Sequence, residues 1–134
     1  MIVDTGILYA LADRDDRHHR AARRVFALPE PRIVPEPVIV ETDWLILDHL
    51  GVEAEIAFLS GLAAGEFAVE PCTRADHERA AQLVTQYRDA RIGYVDAATV
   101  AMAERLDERR IATLDRRHFG IIRPRHTNVF EILP

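Results

Sequence analysis

Short apolar runs that alternate with helix-length segments limit what this chain can fold into more than any other feature. They are "MIV" at the start, "RIV" at 32–34, "EFAVEP" at 66–71, "RIATLD" at 110–115 and "VFEIL" at 129–133. Strands this short, joined mostly through helices rather than tight hairpins, pack as a parallel sheet with both faces covered. The expected fold is a three-layer α/β/α arrangement around a mainly parallel central sheet, in a single domain spanning residues 1–134.

The helical segments carry their own punctuation. "TGILYALAD" follows the first strand directly. "DDRHHRAARRVFAL" opens on Asp15 and Asp16, suited to an N-cap, and sets Ala21, Ala22, Val25 and Phe26 at helical spacing. Pro35 closes the second strand, and a long helix runs from Pro37, near its first turn, to Gly51. "VEAEIAFLSGLAAG" ends at Gly65. "TRADHERAAQLVTQYRDA" begins with Thr73-x-x-Asp76, close to a capping box. "YVDAATVAMAERLDE" is a helix of small residues. No internal repeat, low-complexity tract or linker interrupts the series.

Composition removes several classes of function. A chain of 134 residues buries a core without disulfide staples. Cys72 is the only cysteine, which excludes an internal disulfide and a zinc site of several thiolates and suits a reducing compartment. No run approaches the roughly 18 apolar residues of a membrane span. "MIVDTGILYA" lacks a basic n-region and sets Asp4 where a signal peptide is apolar, so a cytoplasmic protein that starts with a strand at Met1 is expected. The net charge of −5 weighs against a polyanionic partner, yet all 17 basic residues are Arg, the better fork for phosphate. Arg14, Arg17, Arg20, Arg23 and Arg24 form one cluster, whose plainer reading is a solvated helix face. Arg116, Arg117, Arg123 and Arg125 form a second near the C-terminus.

Four acids stand out by context. Asp4 ends the first strand and Asp115 the strand "RIATLD"; ligands of open parallel sheets gather beyond such strand ends. Asp96 lies in "YVDAATVAMA", a helix expected to be buried on most sides. Glu41 lies in "PVIVETDWLILDHLG", where Trp44 and Leu45, three and four residues on, put it on an apolar face. Asp43 is less anomalous, because it can point outward with Asp48. An unpaired carboxylate on an apolar face is costly. Each alone is a cap or a satisfied hydrogen bonder, but four brought together must share a proton or a cation. Oxygen-only ligands select a hard cation, Mg²⁺ or Mn²⁺. His18, His19 and His118 stand at no evident zinc spacing to the acids and are expected in packing or surface roles. G-x-S-x-G, G-x-x-x-x-G-K, G-x-G-x-x-G and H-E-x-x-H are all missing, and no His neighbours Cys72 in sequence to activate it.

"IVDTGILYALAD", a Glu within an apolar helix near residue 40, "YVDAATVAMAERL" and "IATLDRRHF" together resemble the PIN-domain ribonucleases, specifically the VapC toxins of bacterial toxin–antitoxin pairs. The match runs in order over nearly the whole chain. The resemblance implies a Mg²⁺-dependent endoribonuclease acting on RNA and inhibited by a small VapB-type antitoxin. It also implies a homodimer held in a larger toxin–antitoxin complex that binds operator DNA. The family's acidic site carries over to Asp4, Glu41, Asp96 and Asp115. Mg²⁺, or Mn²⁺, would be held by Asp4, Asp96 and Asp115, with Glu41 direct or through water. Thr113 matches the family's small hydroxyl position, Thr5 follows Asp4 as in many relatives, and Arg116 would meet charge on the phosphate. The pattern departs at Arg117, where some PIN nucleases carry a further acid for a second metal. Two other readings compete: a PIN-like scaffold or co-repressor that no longer cleaves, and another Mg²⁺-dependent nuclease or phosphatase.

Overall fold

The computed structural model describes all residues, Met1–Pro134. Five strands, β1 (Ile2–Val3), β2 (Ile33–Pro35), β3 (Ala68–Glu70), β4 (Arg110–Ala112) and β5 (Glu131–Leu133), form one sheet in the order β3-β2-β1-β4-β5. Every pairing is parallel, with Ile2 against both Ile33 and Ile111 and Val3 against Ala112. The helices are α1 (Thr5–Ala12), α2 (His19–Phe26), α3 (Glu36–Leu50), α4 (Val52–Ala63), α5 (Arg74–Gln86), α6 (Tyr94–Arg105) and α7 (Arg116–Ile121). The α/β/α layering expected from the strand–helix alternation is the observed one.

Side-chain alternation divides the core. Ile2 and Ile111 point to one face, packing with Leu83 of α5, Ala98 of α6 and Phe119 of α7. Val3 and Ala112 point to the other, packing with Ile7 of α1, Val25 of α2 and Val38 of α3. A two-residue strand is sufficient because each residue serves one layer. Small residues allow close helix packing: every residue of α6 from Ala97 to Ala103 is buried.

Several local expectations shift. α2 begins at His19, not at the aspartates. Asp13 and Asp16 instead accept the N–H groups of Asp15 and His18, so these acids make turns that compete with a helix start. α5 ends at Gln86, where a 3₁₀ turn (Arg88–Ala90) and Arg91 at φ 55° take over. α6 ends at Arg105, short of Glu108. β4 ends at Ala112, so Asp115 does not close a strand: it is the N-cap of α7, a helix the sequence patterns did not reveal. Gly51 turns α3 into α4 at φ 86°, a conformation that costs any residue with a Cβ. The five arginines of the first cluster are all exposed, as a solvated face requires.

The capping box at α5 forms in full. Thr73 Oγ1 accepts the Asp76 N–H at 3.2 Å, and Asp76 accepts the Thr73 N–H at 2.8 Å. Asp76 also takes the Arg105 Nε from α6 at 3.0 Å. Burial pushes its carboxyl up, but the hydrogen bonds from Arg105 and Thr73 outweigh that and hold it below the usual range. Asp76→Ala is expected to cost about 2 kcal/mol in urea unfolding at pH 7, since it breaks the capping box and leaves Arg105 with only Glu70 and the Pro71 carbonyl. The carboxylate's contribution is present above its ordinary pKa and lost as the pH falls through the depressed value. The deficit of the variant should therefore shrink in acid.

Candidate active site

The chain leaves β1 toward β2 on one side and later returns to β4 on the other, so the β1/β4 boundary is the sheet's switch point. Parallel α/β sheets bind ligands at such a boundary, beyond the carboxyl ends of the strands. Here an open cleft of about 670 Å³ is lined by Asp4, Thr5, Glu41, Asp96, Asp115 and Arg116, together with Gly6, Leu114, Arg117 and His118. All four acids singled out in the sequence thus face one space, although they come from four different segments.

Asp4 follows β1 and is buried, 6 % exposed. Its backbone N–H continues the ladder to the Ala112 carbonyl at 2.9 Å, which ties it to β4. Thr113 Oγ1 donates to Asp4 Oδ2 at 2.6 Å and accepts the Asp115 N–H at 2.9 Å, so one hydroxyl orients both acids. Gly6 permits the approach of α1 to this loop, since a Cβ there would lie 3.3 Å from Leu114. Burial raises the Asp4 carboxyl to about 6; the hydrogen bonds from Thr113 and Thr5 oppose the rise, and the charges of Asp96 and Glu41 add to it.

Asp96 lies in the first turn of α6, half-buried rather than enclosed, where the helix N-terminus favours a carboxylate. Burial and the Asp115 charge raise its carboxyl, and His118 counteracts them. Asp115 is half-buried and accepts the His118 N–H at 2.9 Å as the cap of α7.

Glu41 corrects the sequence reading. It is exposed, and its neighbour Trp44 is 61 % exposed, so its helix face is not a core face. Water and the Thr5 hydroxyl, which donates to Glu41 Oε2 at 2.5 Å, are sufficient to keep it there. The acid that enters the protein is Asp43, whose Oδ1 is buried without a hydrogen-bond partner. Ile39 and Ile46, one turn to either side, carry that face inward.

His118 is the residue that sequence reasoning misplaced. Its Nδ1 lies 2.9 Å from Asp96 Oδ2 and 3.0 Å from Asp115 Oδ2. A carboxylate only accepts, so Nδ1 carries the proton and bridges the two acids. The available signal was Asp115-x-x-His118, a cap followed one turn later by a histidine, but it has meaning only once α7 is known. Replacing the imidazole in His118→Ala should cost the protein about 1–2 kcal/mol in urea unfolding with EDTA present, as the acids then face each other without a donor. Stability equal to wild type would mean that the bridge contributes nothing.

The donor set suits a divalent cation. Asp96 and Asp115 each offer a carboxylate oxygen within 4.8 Å of the other, beside a His118 nitrogen. Asp4 adds a buried carboxylate with only hydroxyl and backbone donors around it. Carboxylates held together at a cost in like-charge repulsion fit a bound cation better than they fit each other. Arg116 and Arg117 are exposed on the rim; Arg116 also reaches the Pro134 carbonyl. Cys72 sits outside the cleft, and burial pushes its thiol up, away from nucleophile chemistry.

The layering, the switch-point cleft and the gathered carboxylates define an α/β/α domain with an acidic site. The chain belongs to the PIN-domain family, whose pattern matches residues 1–122, and within it to the VapC group. It is 41 % identical to ribonuclease VapC26 of Mycobacterium tuberculosis over 135 aligned residues, the full length of both proteins. Two solved structures share the fold. VapC20 of M. tuberculosis, described as a Sarcin-Ricin loop cleaving toxin, superposes with a TM-score of 0.82 at 22 % identity, covering 89 % of this chain and 92 % of that one. VapBC2 of Rickettsia felis, bound to a DNA fragment from its promoter, gives 0.72 at 12 % identity, covering 99 % and 98 %. No helix is long and apolar enough to cross a membrane.

Proposed function

We propose that the protein is a divalent-metal-dependent endoribonuclease and the toxin of a toxin–antitoxin pair. The observation that carries this reading is the convergence of Asp4, Glu41, Asp96 and Asp115 on one cleft at the switch point. The full-length likeness to a ribonuclease supports the choice of RNA. Asp4, Asp96 and Asp115 would hold Mg²⁺, or Mn²⁺ in its place. The cation supplies Lewis-acid polarisation of a phosphate and a lowered pKa for a bound water.

The chain's own residues have separate tasks. Thr113 fixes the Asp4 carboxylate and the Asp115 backbone with one hydroxyl, so the Asp4 carboxylate need not reorganise when substrate arrives. His118 holds Asp96 and Asp115 at a fixed separation. Glu41, exposed and oriented by Thr5, is free to accept a proton from water at the cleft mouth. Arg116 and Arg117 offer guanidinium forks to the phosphodiester backbone. Single-turnover cleavage of total RNA, with Mg²⁺ and with EDTA, tests the reading. Loss of cleavage in EDTA and its return with Mg²⁺ is expected; soluble protein that leaves RNA intact in Mg²⁺ would indicate a scaffold.

A small antitoxin is the partner this reading requires. An apolar hollow of about 380 Å³ between α1, α2 and α4, lined by Leu8, Leu11, Phe26, Phe58 and Phe67, supports it. Val52, Ile56 and Leu59 of α4 are exposed beyond, and no residue of α4 is buried. A helix that apolar is expected to be covered. Overexpression alone should arrest growth, and co-expression of the small protein encoded next to it should restore it. Unimpaired growth with soluble protein would count against the toxin.

A further inference from the structure

A second hollow opens beside the acidic cleft. It has a volume of about 630 Å³, and Glu41 lines both spaces. Trp44 of α3 and Tyr94 of α6 form its aromatic walls and are 61 % and 48 % exposed. His77 of α5 stacks on Tyr94 with ring centroids 6.1 Å apart and planes 19° apart, and the Tyr94 hydroxyl is 3.1 Å from His77 Nδ1. The ring of Tyr94 is thereby held in place before any ligand arrives. Glu41 is the wall common to the two spaces, so whatever rests on Tyr94 lies beside the mouth of the acidic cleft.

Resting on the ribonuclease reading above, we propose that this hollow is the subsite for one unpaired nucleobase flanking the scissile phosphate. Single-stranded RNA is bound by aromatic faces that stack its bases and by cationic groups that track its backbone. The two spaces divide these tasks. Arg116 and Arg117 line the acidic cleft, whereas no arginine lines the hollow, whose carboxylates are those of Glu36 and Glu41. A phosphate is repelled there, and a neutral base is not. Carboxylates accept hydrogen bonds, so they favour bases with an exocyclic amine, cytosine, adenine and guanine, over uracil, whose base edge offers the single donor N3–H.

Trp44 is the only tryptophan, so its emission reports on the hollow directly. The probes are short oligocytidylate, oligoadenylate, oligouridylate and an abasic strand of equal charge, added to full-length Asp96→Asn protein in Mg²⁺, which keeps the RNA intact. Saturable quenching by the cytidine and adenosine strands, weaker quenching by uridine and none by the abasic strand is expected. Tyr94→Ala should weaken binding by roughly 5- to 100-fold, with Tyr94→Phe close to the parent. Wild-type protein carrying Tyr94→Ala should lose cleavage of an unpaired site through KM more than through kcat.

Equal quenching by the abasic strand, or equal quenching by uridine, would overturn the assignment. Emission that is blue-shifted with rising protein concentration and indifferent to RNA would do so too, because the hollow would then be covered by a second copy. Cleavage by wild-type protein is scored in parallel. Its absence would be a failure of the ribonuclease reading, whereas its presence without base-dependent quenching is a failure of the subsite alone.

Discussion

Asp96→Asn and Asp115→Asn are each expected to lower single-turnover RNA cleavage by at least about 100-fold, with folding intact. Both carboxylates lie at the His118 bridge, and each substitution removes one charge from a cluster that works as a unit. The double variant should therefore be scarcely worse than either single one. Multiplying losses in the double variant would argue that the acids act independently and would count against a shared cation. Thr113→Val belongs to the same series: it leaves all four acids in place but frees Asp4 and the Asp115 backbone from their common hydroxyl. It should lose activity less steeply than the acid variants, since it disturbs orientation rather than charge.

The second large effect is on stability, and it runs in the direction opposite to activity. In metal-free protein the Asp4 carboxyl is raised to about 6 by burial and by the neighbouring acids, from an ordinary value of 3.8. A raised carboxyl means that the fold favours the protonated form. Its contribution is full below pH 4 and is lost as the pH rises through 6, at a cost of about 3 kcal/mol by pH 7. In EDTA, wild-type protein should therefore become less stable between pH 5 and 7 through this group, while Asp4→Asn should lack that slope. An asparagine carbonyl can still accept from Thr113, so at pH 7 the variant should melt at or above wild type and yet be inactive. Mg²⁺ at a hundredfold excess over its Kd should stabilise wild type by about 2.7 kcal/mol, and Asp4→Asn much less. Melting of Asp4→Asn well below wild type in EDTA, with no response to Mg²⁺ in either, would make Asp4 a structural hydrogen bonder. Asp96→Asn should behave alike on a smaller scale, because its carboxyl is also raised but is half-buried and compensated by His118.

The layering was legible because strand and helix periods are local properties. "MIV" and "RIATLD" cannot bury their alternating faces except between two helical layers, and Thr73-x-x-Asp76 closes its capping box within four residues. Asp4 and Asp96 were also legible, as acids at a strand end and in a run of small apolar residues. What lay beyond the sequence was everything that depends on distance between segments. Glu41 was suspect for the wrong reason: an apolar helix face is buried only if another element covers it, and nothing in the fold covers Trp44. Asp43 was given an outward place, and it turns one oxygen inward because Ile39 and Ile46 on the same face of α3 pack into the core. α7 has only six residues, too few for a hydrophobic period to register, so Asp115 passed for a strand end and His118 for a surface residue. The chain alone determined which residue types were available for chemistry, since carboxylates, arginines and aromatics keep their properties anywhere. Only the tertiary structure decided which of them meet, because the β1/β4 pairing and the α6–α7 approach bring residues 4, 96, 115 and 118 together across separations that no local pattern encodes.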